Sequence, residues 1–491
     1  MPLDPMSQHI SQADPGSTAT GLTASFMAGF HQRADSDLGL IDQLCRLALS
    51  DSAEQADLAL HELYGTIVEG VSNDFSSRGM QVCARVLARM VCCLGATPAG
   101  RALHGLLRTL GLRNEGDLVT GYHRLLAAPP LSRTAMAKIR RILLPSRVTI
   151  GADVVITGVL AQRLARAMPR AEILIAGPAH IPRIFHAMPR LRHLPLAYDR
   201  HGSMANRITV WTDLHRLAAR EQEGLAAREL LVVDTDSRLT QLGLLPLAGP
   251  GATRLFPSRE DVAGRTATTL PELANLWCDH MFGPDQHVWP MVAFAPQHLM
   301  AARRYAAGRD NAFLLVISLG VGNNEAKRIP EPFEEELILT LLEDRNTLIL
   351  LDSGTQDAGR RRVEALLATC RSRGLATAFL HEEDLATRQP PFPHGVVGFR
   401  GSIGALGALI GEADGFFGYD SCPQHIAAAL DTPSVIAFAG APNPRFEARW
   451  RSQGRAGRTF TIAAPPDAMW TDDLIQALAM QVAQHFRWLR A

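Results

Sequence analysis

The chain has 491 residues, 49 basic against 49 acidic side chains, and a hydrophobic share of 47 %. That balance argues against a surface built for nucleic acid or an anionic membrane, and the apolar share is enough for a large core spread over several domains. Seven cysteines without a C-x-x-C pair fit a reducing, cytoplasmic compartment better than a disulfide framework.

Residues 1–34 are rich in Ser, Thr, Gly, Asp and Gln, with no basic start followed by an apolar block. They read as a disordered tail and not as a secretory signal. Residues 35–140 carry helical spacing throughout, as in Leu38, Ile41, Leu44, Cys45 and Ala48, or Val82, Val86, Leu87 and Met90. The most apolar stretch, Met80–Ala96, is broken by Arg85 and Arg89, so it predicts no membrane span and at most peripheral membrane contact. This helical region is expected to serve packing or homo-oligomerisation, with acceptor docking as the other reading.

From Arg141 onward strands and helices alternate, which predicts doubly wound parallel sheets. The strand Arg141–Leu144 leads to Gly151-Ala152-Asp153, a helix ending at Ala167-Met168-Pro169, and the strand Ala171–Ala176. Asp153 falls where strand gives way to helix, a place for an N-cap. Leu230–Asp234 is a further buried strand, and the polar cluster after it puts Asp236 and Arg238 at a strand's carboxyl end, where open α/β sheets hold ligands. We expect these two on the acceptor side, with a helix cap and a solvated arginine as the plainer alternative. Residues 246–290, with many Pro, Gly and Arg, read as irregular. Cys278, His280 and His287 lie there without metal-site spacing or a fourth ligand, so no metal is expected.

A second set of strands is expected at Ala312–Leu319, Thr347–Leu351, Ala376–Leu380, Gly395–Gly398, Gly415–Gly418 and Ser434–Ala439. Thr347–Leu351 runs into Asp352-Ser353-Gly354-Thr355-Gln356-Asp357, where Asp357 is either a ribose contact or a helix cap. After Gly415–Tyr419 comes Asp420-Ser421-Cys422-Pro423-Gln424-His425 and an alanine run. Strand, tight polar turn and small-residue helix aim unpaired backbone N–H groups at an anion, with Ser421 as cap and Pro423 in the first turn. His425, about one turn in, reaches back toward the same point, which makes this a diphosphate seat. A last amphipathic helix, about Asp472–Leu489, closes the chain.

Three of these segments, in order, resemble glycosyltransferase family 9, the ADP-heptose:lipopolysaccharide heptosyltransferases. Asp420, Ser421, Pro423, His425 and the alanines resemble its D-S-G-P-x-H-x-A-A-A signature, with Cys422 in place of glycine. Gly151 to Pro169 resembles its G-D-V-x-x-T-x-P run, with Ala152 inserted and Gly158 near the usual proline. Gly320 to Pro330 resembles its strand–loop–K-R-W-P segment, with Ile329 replacing tryptophan. The resemblance covers about residues 141–460; the family's members lack the N-terminal helices.

The resemblance implies a GT-B pair of Rossmann-like domains behind an all-helical region. The acceptor side would span 141–305, the donor side 306–470, and the C-terminal helix 471–491 would fold back on the first of them. It implies an inverting, metal-independent transfer of a heptose-like sugar from a nucleotide diphosphate, an ADP-sugar first, to a hydroxyl on a saccharide, glycolipid or protein. No further cofactor is implied, and the work would be cell-envelope synthesis in the cytoplasm or at the inner membrane face. Asp153 would be the general base. Lys327, Asn323 and Asn324 would meet donor phosphate, Asp357 the ribose, and Asp420, Ser421, Cys422 and His425 the diphosphate. The departures at Ala152, Cys422 and Ile329 keep two alternatives open: a decayed nucleotide-sugar-binding scaffold, and a nucleotide-sugar epimerase or hydrolase.

Overall fold

The computed structural model describes residues 15–32, 37–261, 268–322, 324–464 and 469–490. The chain divides into two compact units, 1–128 with 198–220 and 238–255, and 129–197 with 221–237 and 256–491.

The first unit is helical. Its helices Leu38–Ala48, Ala53–Leu60, Ser77–Gly95, Arg101–Thr109 and Glu115–Leu126 follow the expected apolar spacing. Asp37, Ser52, Ser76 and Asn114 cap four of them through side-chain oxygens. The expected disordered tail is corrected here: Pro15–His31 is a helix that buries Ala19, Phe26 and Phe30, and apolar burial offsets the weak local composition. Residues 1–14 and 33–34 of that span lie outside the described residues. The unit also recruits the helix Met204–Gln222 up to Arg220 and the stretch from Arg238, which the sequence placed with the acceptor-side domain. Arg207 sits 4.7 Å over the Tyr64 ring, and Arg238 pairs with Glu69 at 2.6 Å. Leu242 and Leu244 line a small apolar gap with Met80, Leu87 and Tyr122.

In the second unit, strands β1 (Arg141–Pro145), β2 (Glu172–Gly177), β3 (Leu191–Pro195) and β4 (Leu230–Asp234) lie side by side in the order β3-β2-β1-β4, all parallel. The next strand in the chain, the short β5 (Thr253–Leu255), belongs to the first unit. The expected irregular stretch 246–290 needs correcting too. Leu270–Phe282 is a helix, started by a capping box between Thr269 and Glu272.

The second sheet has seven strands in the order β12-β11-β10-β6-β7-β9-β8, again parallel: β6 (Phe313–Ser318), β7 (Thr347–Asp352), β8 (Thr377–His381), β9 (Gly395–Arg400), β10 (Gly415–Tyr419), β11 (Ser434–Phe438) and β12 (Thr459–Ala463). One continuous apolar core joins both sheets, running from Ile142, Leu144 and Ile175 to Val316, Leu350 and Ile436. A second cluster covers the far face of the larger sheet. The C-terminal helix Asp472–Arg490 belongs to that second cluster. It packs on the helix Glu331–Leu341 through Leu478, Val482 and Phe486, so the expected return to the first Rossmann-like domain does not occur. Its apolar stripe matches the open face of the larger sheet, and Phe486 fills the space left by the missing side chain of Gly415.

Candidate active site at two strand crossovers

In the larger sheet the chain starts at β6, winds outward through β7, β8 and β9, then crosses to β10 on the other side. The carboxyl ends of β6 and β10 therefore part at a switch point, the usual crevice for ligands in such sheets. Register sets what meets there: Ser318 lies opposite both Gly418 and Asp352. Lys327, on the loop from β6, reaches across to Asp420 after β10 with an Nζ–Oδ2 distance of 2.5 Å. Gln424 Nε2 donates to the other carboxylate oxygen of Asp420 at 2.7 Å. Lys327 also lies 5.3 Å over the Phe446 ring. The structure thus brings Lys327, Asp420 and Gln424 together, with Asp420 as the tether between the two loops.

The helix Cys422–Ala429 begins at this crevice, with Pro423 in its first turn. Ser421 stands at the N-cap but makes no capping bond, and its hydroxyl has no partner among the described residues. His425 is 3 % exposed and its Nδ1 is likewise unpartnered. Both polar atoms, with the helix's first N–H groups, are unspent donors or acceptors where an anion would sit. Burial, with a smaller push from Lys327 and against the pull of Asp420, lowers the His425 pKa from 6.5 to about 4. The ring is therefore neutral at pH 7 and acts by hydrogen bonding, not as a cation. Burial pushes the Cys422 thiol up to about 12, so it adds no negative charge at the start of this helix.

The lowered His425 pKa has a consequence for stability. The unfolded chain takes up this proton near pH 6.5 and the folded chain near 4, so between these values the unfolded state binds more protons and stability rises with pH. Acidification from 6.5 to 4 should lower the melting temperature, and His425→Gln should flatten that fall. Parallel slopes for the two proteins would refute the assignment.

The smaller sheet repeats the layout, starting at β1 and crossing from β3 to β4. Ser146 and Arg147 follow β1, and Thr235 to Ser237 follow β4. Thr235 Oγ1 donates to Pro145 O at 2.6 Å, Ser237 Oγ to Ser146 O at 2.5 Å, and Arg147 Nη1 to Thr235 O at 3.1 Å. Val148 (φ 59°) and Asp236 (φ 60°) hold left-handed backbone in these two loops, which is costly for a β-branched valine. Asp236 is 2 % exposed and bound by Ser258, Arg147 and Arg259, so its carboxylate is turned into an internal ion cluster. Arg238 lies in the first unit, paired with Glu69.

Asp153 is fully buried. Oδ1 accepts from Arg147 N–H at 2.8 Å and Thr157 Oγ1 at 2.7 Å; Oδ2 accepts from Ser146 Oγ and meets His180 Nε2, both at 2.7 Å. It does not cap the helix that follows; it ties down the loop from β1. The turn Ile150–Ala152 lies directly on the helix Cys422–Ala429. A side chain at Gly151 would stand 3.0 Å from His425 Cδ2 and 3.3 Å from Cys422 Cα, so glycine is what permits this approach. The segments bearing Asp153, Lys327 and His425 therefore converge.

The remaining expected residues sit farther from this cluster of bonds. Asp357 is exposed at the start of the helix Asp357–Ser372 and pairs with Arg400 at 3.5 Å and Arg360 at 3.7 Å. Asn324 turns its carboxamide oxygen onto Ala326 N–H at 3.1 Å. Asn323 lies outside the described residues. Four residues the sequence reading passed over belong to the site: Ser318 and Asp352, joined at 2.9 Å, Gln424, and His180. Burial raises the Asp352 pKa against the hydrogen bonds from Gly354 and Ser318. Gln424 was visible as the residue one turn after Asp420; nothing local marks His180.

Comparison with known proteins decides the family of the donor half. Residues 280–464 match the sequence model of glycosyltransferase family 9 (heptosyltransferase). This segment is a glycosyltransferase family 9 domain. It contains Lys327, Asp357 and the Asp420–His425 turn, and it ends within the last strand region. A family 9 glycosyltransferase from Veillonella parvula DSM 2008 has a similar structure, with 12 % identity, a TM-score of 0.50, and coverage of 74 % of this chain and 98 % of that one. E. coli ADP-heptose LPS heptosyltransferase II (17 % identity, TM-score 0.47, 71 % and 98 % coverage) and E. coli heptosyltransferase WaaC with ADP (15 %, 0.46, 70 % and 99 %) are also similar. No curated protein sequence matches the chain. The two parallel sheets give the second unit a GT-B-like fold. Among the described residues no helix is long and apolar enough to cross a membrane.

Proposed function

We propose that the protein is an inverting glycosyltransferase that moves a heptose-like sugar from a nucleotide diphosphate, an ADP-sugar first, to a hydroxyl acceptor in cell-envelope glycoconjugate synthesis. The observation that carries this reading is the Lys327–Asp420 bridge across the β6/β10 crossover, next to the unpartnered Ser421 hydroxyl and His425 ring, all inside the family 9 segment. A sugar transfer from a nucleotide needs stabilisation of the leaving diphosphate. Here the cation of Lys327 and the N-terminus of the Cys422–Ala429 helix would supply it without a metal ion, so chelators should leave turnover intact. We place the reaction in the cytoplasm, at or near the inner membrane face. Saccharide, glycolipid and protein all fit as acceptors.

Thermal-shift binding against a panel of nucleotides and nucleotide sugars tests the donor seat. ADP and an ADP-sugar should raise the melting temperature, and His425→Ala should abolish the rise. At a ligand concentration of a hundred times Kd the expected stabilisation is about 2.7 kcal/mol. A folded protein shifted by none of them would sink this reading in favour of a non-catalytic scaffold.

A further inference from the structure

The Asp153 carboxylate has no lone pair left for a substrate. An ionised carboxylate offers about four acceptor positions, and Arg147, Thr157, Ser146 and His180 occupy two on each oxygen. The side chain is also wholly buried. His180, on the loop after β2, is different: its side chain is 13 % exposed. Because a carboxylate held by three other donors can only accept, the ring must donate from Nε2. That fixes the tautomer and leaves the Nδ1 lone pair as an acceptor, with no partner among the described residues.

We propose that His180 Nδ1 takes the proton from the acceptor hydroxyl, and that Asp153 is the positioning residue holding the ring. This rests on the transferase reading above and refines it. The acceptor oxygen forms a bond to the anomeric carbon while the bond from that carbon to the diphosphate oxygen breaks, its electron pair leaving on the diphosphate. The hydroxyl proton passes to Nδ1, and the imidazolium formed is balanced by the Asp153 carboxylate across the 2.7 Å bond. The fixed loop explains the arrangement's setting. Strained Val148 places Ser146 and Arg147 N–H on Asp153, and Gly151 then lets the same turn rest on the donor helix.

The test uses the full chain and ADP-heptose with water as acceptor, following ADP release. His180→Ala should lower kcat by about 10²–10⁴-fold, the range for a lost general base, with little change in donor KM. Added imidazole should restore rate to His180→Ala in proportion to its concentration, a response that a purely structural role would not give. His180→Gln, which keeps a donor toward Asp153 but offers no base, guards against loss of fold and should show the same deficit. Asp153→Asn should also lose kcat, without rescue by imidazole. An active wild type with His180→Ala or His180→Gln equally active, or a deficit that imidazole leaves untouched, would overturn the assignment and leave the transferase reading standing. A wild type that releases no ADP and is not stabilised by ADP or ADP-heptose would overturn both.

Discussion

Lys327→Met is expected to lower kcat/KM by about 10²–10³-fold, the scale seen when one preorganised charge stabiliser is lost from a transition state. The same change should destabilise the fold. Asp420 has a side chain only 5 % exposed and loses its 2.5 Å partner, keeping the Gln424 amide alone. Removing one member of a buried pair costs about 3–5 kcal/mol, which would obscure a purely catalytic effect. The double variant Lys327→Met/Asp420→Asn separates the two. It should recover most of the melting temperature, because no unpaired charge remains, while ADP release from ADP-heptose stays at the level of the single variant. Recovery of turnover in the double variant would mean that Lys327 acts only as a strut for Asp420.

The second large effect is expected at Glu334, a residue that touches no ligand in this scheme. It is 1 % exposed, yet it accepts from Arg328 Nη1 at 2.8 Å, Arg362 Nε at 2.5 Å and the Tyr419 hydroxyl at 3.1 Å. Arg328 follows Lys327 and Tyr419 precedes Asp420, so this one carboxylate braces both sides of the donor crevice from below. Glu334→Leu would take the buried carboxylate from Arg328 and Arg362, which keep only their bridges to the exposed Glu325 and Glu331, at about 3 kcal/mol, the low end of the same range. Chemical denaturation should show a midpoint shift of that size with an unchanged slope. Donor affinity should fall as well, since the loop carrying Lys327 loses its anchor. A shift below about 1 kcal/mol, the level of a surface ion pair, would refute the keystone role.

How much of this was legible beforehand depended on the kind of signal. Inner strands such as β6, β7, β10 and β11 are continuous apolar runs, and a run buried on both faces can be read directly. The edge strands β3 and β12 escaped notice: each buries a single residue of five, Leu194 and Ile462, and neither carries the apolar Ala378-Phe379-Leu380 run that marked the equally shallow β8. The Pro15–His31 helix was missed for a related reason: its Ser, Thr and Gly residues look like linker, and only tertiary burial of Phe26 and Phe30 makes it fold. At the site, local motifs located Asp153, Lys327 and the Asp420–His425 turn, because a helix start after a strand is written in consecutive residues. Partners brought in by topology were not legible. His180 comes from the end of β2 and Asp352 from β7, and each meets its neighbour only through sheet register. Asp236 and Arg238 stand two residues apart in the chain, yet fall in different structural units.

The apolar core that runs unbroken from Ile142 and Ile175 to Val316 and Ile436 bears on how this molecule can be divided. Two domains separated by a solvated groove can be expressed apart; two that share their interior cannot be cut without turning that interior into surface. Excising residues 306–470 would expose the faces of Val316, Leu350 and Ile436 to water, a patch of the kind that drives aggregation. The two sheets therefore make one cooperative folding block, and a change of ligand preference is to be sought in the loops at the crossovers, not by swapping halves.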